Sequence, residues 1–167
     1  MIPFPVYLFV LIELIAVSYG DIKTNKIPNF WSLLNLVAFF VLLWVAPQYY
    51  HFGFQTFFYS TVFLVVGFVL FLLNIMGGGD SKFLFTFFLL LPVSLHRATF
   101  HNLLLSTILI GGAFFLHNVL KNLKTLFKAF MSQDLKTVKS CFGTKFSYAP
   151  VILVAWLLMG WTLRDKF

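Results

Sequence analysis

Residues 77–97, GGGDSKFLFTFFLLLPVSLHR, decide how this chain is threaded. The apolar stretch within them, Phe83 to Leu95, is too short to cross a bilayer, which takes about 20 mainly apolar residues. Counted from Asp80 or Ser81 to about Arg97, it becomes long enough, with Pro92 near its end. Five other segments reach spanning length without help: 2–20, 30–46, 54–76, 98–120 and 147–163. The number of crossings therefore turns on 80–97. If it crosses, the connectors alternate sides, and Lys23, Lys26, Lys82, Lys121, Lys124, Lys128, Lys136, Lys139 and Lys145 all fall on one of them. Only Arg97, Arg164 and Lys166 fall on the other. Basic residues accumulate on the cytoplasmic side, so the lysine-rich side faces the cytoplasm. Without that crossing, the six lysines of loop 121–146 would lie outside, against the rule.

The expected fold is thus an all-α membrane protein. It has about six transmembrane helices (2–20, 30–46, 54–76, 80–97, 98–120 and 147–163) in a single domain over 1–167, with both termini on the non-cytoplasmic side. Composition agrees: 60% of residues are hydrophobic, 20% aromatic and 10% charged, and mean hydropathy is +0.94. Soluble domains carry roughly a quarter charged residues. A formal charge of +7 would raise nucleic acid in a soluble chain. Here the cations lie between apolar runs, where they set orientation and meet anionic lipid, so no nucleic-acid partner is expected.

A single cysteine, Cys141, excludes an intrachain disulfide. The first segment is read as a retained span, since residues 1–10 lack Lys and Arg and Glu13 interrupts the apolar run. Loop 121–146 reads as a basic amphipathic stretch, with Leu123, Leu126, Phe127 and Phe130 at helical spacing; it lies on the anionic leaflet or gates a substrate. His51, His96, His101 and His117 show no ligand spacing, and neither metal nor cofactor is expected.

Five carboxylates remain for chemistry: Glu13, Asp21, Asp80, Asp134 and Asp165. Asp134 and Asp165 sit among basic residues as solvated counter-charges. The threading puts Asp21 at the end of the first span and Asp80 at the start of the fourth, at similar depth on the cytoplasmic side. Two carboxyls close together at a partly dry boundary share a proton, which suits one to act as base and the other as acid. Gly77-Gly78-Gly79 before Asp80 permits close backbone approach and room for an extended peptide. A plainer role for Asp80 is a helix N-cap. Asn74 would orient this segment or pack between helices. Asp21 leads into Lys26-Ile27-Pro28-Asn29, by itself a basic turn that starts the second span.

Taken together, Asp21…Lys26-Ile27-Pro28-Asn29 and Gly77-Gly78-Gly79-Asp80-Ser81-Lys82 resemble the prepilin peptidases, GxGD-type intramembrane aspartyl peptidases. Phe146-Ser147-Tyr148-Ala149-Pro150 is similar to that family's Pro-Tyr-Ala-Pro segment, with Ser147 for the first proline. The resemblance implies catalytic Asp21 and Asp80. It implies supporting or substrate-contacting roles for Gly77, Gly78, Gly79, Lys82, Lys26, Ile27, Pro28 and Asn29. It also implies a partner: a pilin-like precursor with a basic leader ahead of a hydrophobic helix, cut at the cytoplasmic face of a prokaryotic inner membrane. The family's paired CxxC region, associated with N-methylation, has no counterpart here, so peptidase activity without methylation is expected. The presenilin and signal-peptide-peptidase group shares Gly-x-Gly-Asp but pairs it with Tyr-Asp, whereas Asp21 follows Gly20. A transporter using Glu13, Asp21 and Asp80 as relay groups, or an inert scaffold of a pilus or secretion assembly, are the readings from other classes. Nothing in the sequence specifies an oligomer.

Overall fold

The computed structural model describes residues 2–72, 76–123, 125 and 147–163. Asn74, Asp134, Cys141, Asp165 and most of loop 121–146 lie outside the described residues. Within them the chain is all-helical, with six helices: α1 (Phe4–Thr24), α2 (Asn29–Val45), α3 (Phe54–Leu72), α4 (Gly78–Leu89), α5 (Val93–Lys121) and α6 (Ala149–Leu163). Three of these, α1, α3 and α5, are long and apolar enough to cross a membrane. The outward faces are apolar as lipid contact requires, with Trp44, Phe54 and Trp161 almost wholly exposed.

Helix starts follow local chemistry. Pro3, Pro28 and Pro92 stand at the N-caps of α1, α2 and α5, where a missing N–H costs nothing. At the other end of α1, Asn25 takes the left-handed conformation (φ 50°, ψ 36°) and donates its N–H to the Asp21 carbonyl. The turn between α4 and α5 falls at Leu90–Pro92, whereas the sequence suggested a helix running on to Arg97. Proline cannot continue the ladder of α4, and its fixed φ starts α5 instead. Within α5, Thr107–Gly111 forms one π-helical turn.

Contacts fix the relative directions. Tyr7 stacks on Trp156 at 5.0 Å while Asp21 meets Ala149, so α1 and α6 are antiparallel. Asn29 lies beside Lys82 and Tyr50 bonds to Leu90, so α2 and α4 run side by side in one direction. Connector 25–28, residues 76–77 and the entry to α6 therefore gather at one end of the bundle. Connectors 46–53 and 90–92 lie at the other.

The core is built on α4. Phe83, Leu84, Phe87, Phe88 and Leu89 are at most 2% exposed. At 12 residues α4 is about 18 Å long, well short of a bilayer's hydrocarbon thickness. It is enclosed by protein instead, with α2 and α3 against it. Phe87 meets Trp156 of α6 edge-on at 5.7 Å, and Phe88 meets Phe63 of α3 at 4.5 Å. Ser81 packs so closely on α3 that a Cβ at Gly67 would lie 2.5 Å from its hydroxyl. The result is a short helix with its N-terminus held at a fixed height beside α1's C-terminal end.

Candidate active site

Asp80 is the third residue of α4. Its Oδ2 accepts the Gly77 N–H at 3.0 Å, and its own N–H bonds the Gly77 carbonyl at 3.2 Å. These bonds satisfy amides that a helix start leaves without partners, and the helix dipole favours an acid there. Asp80 is 6% exposed.

Asp21 is held differently. It lies in the last turn of α1, 2% exposed, and its Oδ2 accepts the Ala149 N–H at 3.2 Å. The Tyr148 N–H also bonds this carboxyl. Asp21 thus caps α6 from another helix, across 128 residues of sequence. Ser147 ties the junction further: its hydroxyl reaches the Asp21 carbonyl at 3.1 Å and Asn25 Oδ1 at 3.2 Å.

The two sequence motifs meet at one cavity of about 500 Å³, walled by Lys26–Asn29 on one side and Gly77–Asp80 on the other. Their junction explains one of the three glycines. A Cβ at Gly79 would collide with the Ile27 carbonyl oxygen, so α4 can seat against the α1–α2 connector only with glycine there. Ile27 is buried in the core on the inner side of that connector. Asp80 forms part of the cavity wall, whereas Asp21 does not line it. Tyr148, whose backbone N–H bonds the Asp21 carboxyl, has its phenol 3.0 Å from Thr107 Oγ1 of α5.

Lys82 points elsewhere. It is exposed, with Nζ 3.5 Å from Asn29 Oδ1, on a neighbouring groove between α2 and α4 and not on the cavity. Glu13 lies deeper in α1, 3% exposed, beside the fully buried Asn35 of α2. Among the described residues, no three His, Cys, Asp or Glu side chains group as a metal site would need.

The sequence singled out Tyr148 and Ala149 as part of a motif and assigned them no role in the site. The only available signal was that motif's place at a helix start. Thr107, 3.0 Å from the Tyr148 hydroxyl, gave no signal at all.

Two buried acids, Asp21 and Asp80, thus lie at one end of an apolar helical bundle, with Asp80 on the wall of a cavity. Over residues 8–116 the chain matches the type IV leader peptidase family, and it belongs to that family. The matched residues include Asp21 and Asp80 and end before Tyr148. No curated protein and no solved structure matches the chain. Family membership and the apolar helices together make it a membrane peptidase.

Proposed function

We propose that this chain is an intramembrane aspartyl endopeptidase that removes the basic leader from type IV prepilin or pilin-like precursors, with Asp21 and Asp80 as its catalytic pair. The observation that carries this reading is the convergence of the Asp80 and Ile27 motifs on one cavity, with Gly79 seated against the Ile27 carbonyl. In the reaction, the ionised carboxylate takes a proton from water as its oxygen attacks the peptide carbonyl. The protonated carboxyl donates to the carbonyl oxygen. The gem-diol then collapses, the C–N bond breaks, and the amine leaves with a proton from the pair. The substrate backbone would enter the cavity between Gly77–Asp80 and the facing wall of Lys26, Ile27, Pro28 and Asn29.

The active site is proposed to face the cytoplasm, with six crossings and both termini outside. Lys23, Lys26, Lys82 and Lys121 cluster near the site end of the bundle and Arg97 near the other, which supports that orientation. Lys82, at the groove beside Asn29, is suited to electrostatic support more than to direct contact with the reacting bond. N-methylation is not part of the proposed activity.

The test is co-expression in membranes with precursors carrying a basic leader and an apolar helix, read by mobility shift. Wild type converts the precursor. Asp21→Asn and Asp80→Asn each reduce cleavage by at least about a hundredfold, the lower range of acid–base contributions, while remaining folded in the membrane. Normal processing by either variant rules the assignment out. Ion flux lost with cleavage intact points to the transporter instead.

A further inference from the structure

A second cavity, of about 530 Å³, lies between α3 and the middle of α5. Val62, Val66 and Leu70 form one wall, Phe100, Leu104 and Gly111 the other, and Leu84 of α4 the floor. The two hydroxyls on its lining, of Thr107 and Tyr148, face each other at 3.0 Å, so the surface it offers is apolar. Phe63 meets Phe100 edge-on at 5.8 Å and joins the walls at the end away from the acids. Among the described residues the cavity is a cleft open to the side. Val62, Val66 and Leu104 at its rim are 40%, 49% and 46% exposed. Helical rise makes it about 12 Å long from Val62 to Leu70 and about 16 Å from Phe100 to Gly111, or roughly two to three turns.

This cleft is continuous with the site. Met76 lines both cavities. Asp80 and Leu84, one on each lining, share a face of α4 and are about 6 Å apart along its axis. Since α3 and α5 both run toward the acids, the cleft leads from Met76 back into the apolar part of the bundle. Gly111 keeps it wide, because a Cβ there meets nothing within 4 Å. Its backbone is ordinary right-handed helix (φ −64°, ψ −41°), so the conformation itself does not call for glycine.

We propose that the cleft between α3 and α5 seats the apolar helix of the precursor, taking its first two to three turns after the cut while the scissile bond lies in the site cavity. Helices associate within lipid by packing into one another's surfaces, and a helix already in the bilayer can enter sideways past Val66 and Leu104. The identity of the occupant rests on the peptidase reading, but docking is measured apart from hydrolysis.

The first measurement is crosslinking. The full chain carries Asp80→Asn to prevent turnover, Cys141→Ser to remove its native thiol, and Leu104→Cys at the rim. It is co-expressed with precursor bearing single cysteines along its helix. Oxidation of isolated membranes should join Leu104→Cys to cysteines within about ten residues of the cut, the reach of the cleft. Ile12→Cys, on the exposed face of α1, should not be joined. No product from Leu104→Cys, or an equal product from Ile12→Cys, overturns the proposal. Labelling of the cleft by a photoactivatable phosphatidylglycerol that precursor does not displace assigns it to lipid and overturns it too.

The second measurement is cleavage by the chain without those changes. Gly111→Leu fills the cleft and should raise KM for the precursor about tenfold to a hundredfold, the range of overpacking. For a short peptide that spans leader and cut but lacks the helix, the rise should be at least about tenfold smaller. Gly112→Leu is the control: its Cβ also meets nothing within 4 Å, and it lies outside the lining, so both substrates are cleaved as by wild type. Equal losses with both substrates, or the same loss from Gly112→Leu, remove the cleft from substrate binding. If the crosslink forms but Asp21→Asn and Asp80→Asn cleave normally, docking stands and the peptidase reading fails. If those variants are inactive and no crosslink forms, the peptidase reading stands and docking fails.

Discussion

The two acids are both helix caps, yet they are made in opposite ways. Asp80 caps its own helix, bonded to an amide three residues away. Asp21 caps a helix that begins 128 residues later. The first arrangement forms as soon as α4 does. The second exists only when α1 and α6 are packed side by side. If the two are the proposed catalytic pair, one acid is prepositioned by local structure and the other installed by tertiary structure. This gives the two halves of the site different vulnerabilities.

The strongest way to separate them is Gly79→Ala. It leaves both carboxyls and both sets of amide donors in place and changes only how α4 seats on Ile27. The added Cβ meets a backbone carbonyl, which cannot rotate away, so the cost falls in the range of overpacking, about 1–3 kcal/mol. Thermal unfolding in detergent should show that loss. Cleavage should fall further than stability predicts, because Asp80 is displaced relative to Asp21. Wild-type cleavage together with wild-type stability would mean that the two motifs do not need this contact.

The same contrast explains what could be read from the sequence. Three glycines and an aspartate before an apolar run contain the Asp80 cap in adjacent letters. Alternating lysine-rich and lysine-poor connectors contain the helix order, and the structure's helix directions place Asp21 and Asp80 at one end. Neither pattern encodes that Asp21 would find its partners at Tyr148 and Ala149, because that depends on which helix packs beside α1. The break at Pro92 was visible as a residue, but a proline near a span's end fits both a helix terminus and a kink. Core packing around α4 decided it: Tyr50 from the α2–α3 connector bonds the Leu90 carbonyl at 3.0 Å and holds the end of the helix there.

That far end supplies the control for the site. Tyr50→Phe removes the donor to Leu90 and should cost about 1–2 kcal/mol, since a buried carbonyl loses its partner. Burial pushes the Tyr50 phenol above its ordinary value. The folded state thus favours the neutral phenol, and this contribution is complete below the unfolded value of about 10 and is lost as pH rises beyond it. Wild type should therefore lose more stability than Tyr50→Phe as the pH rises above about 10, measured as the difference in unfolding midpoint. Cleavage per folded molecule should be unchanged. A Tyr50→Phe variant with poor kcat would show that the two ends are coupled through α4, and the separation drawn between local and assembled parts would fail.

Ser147→Ala is the finest cut, because it touches only the assembled half. The hydroxyl reaches the Asp21 carbonyl and Asn25 Oδ1 and has no part in the Asp80 cap. Its removal should cost about 0.5–1 kcal/mol, the net value of an ordinary and partly exposed hydrogen bond. The informative quantity is the ratio of that loss to the loss of kcat. If Asp21 depends on the α1–α6 junction for its aim, kcat should fall several-fold in the folded protein while KM stays near wild type, since the cavity walls at Lys26–Asn29 and Gly77–Asp80 are not altered. If kcat tracks only the folded fraction, the Tyr148 and Ala149 amides hold Asp21 without help, and the remote cap is as self-sufficient as the local one.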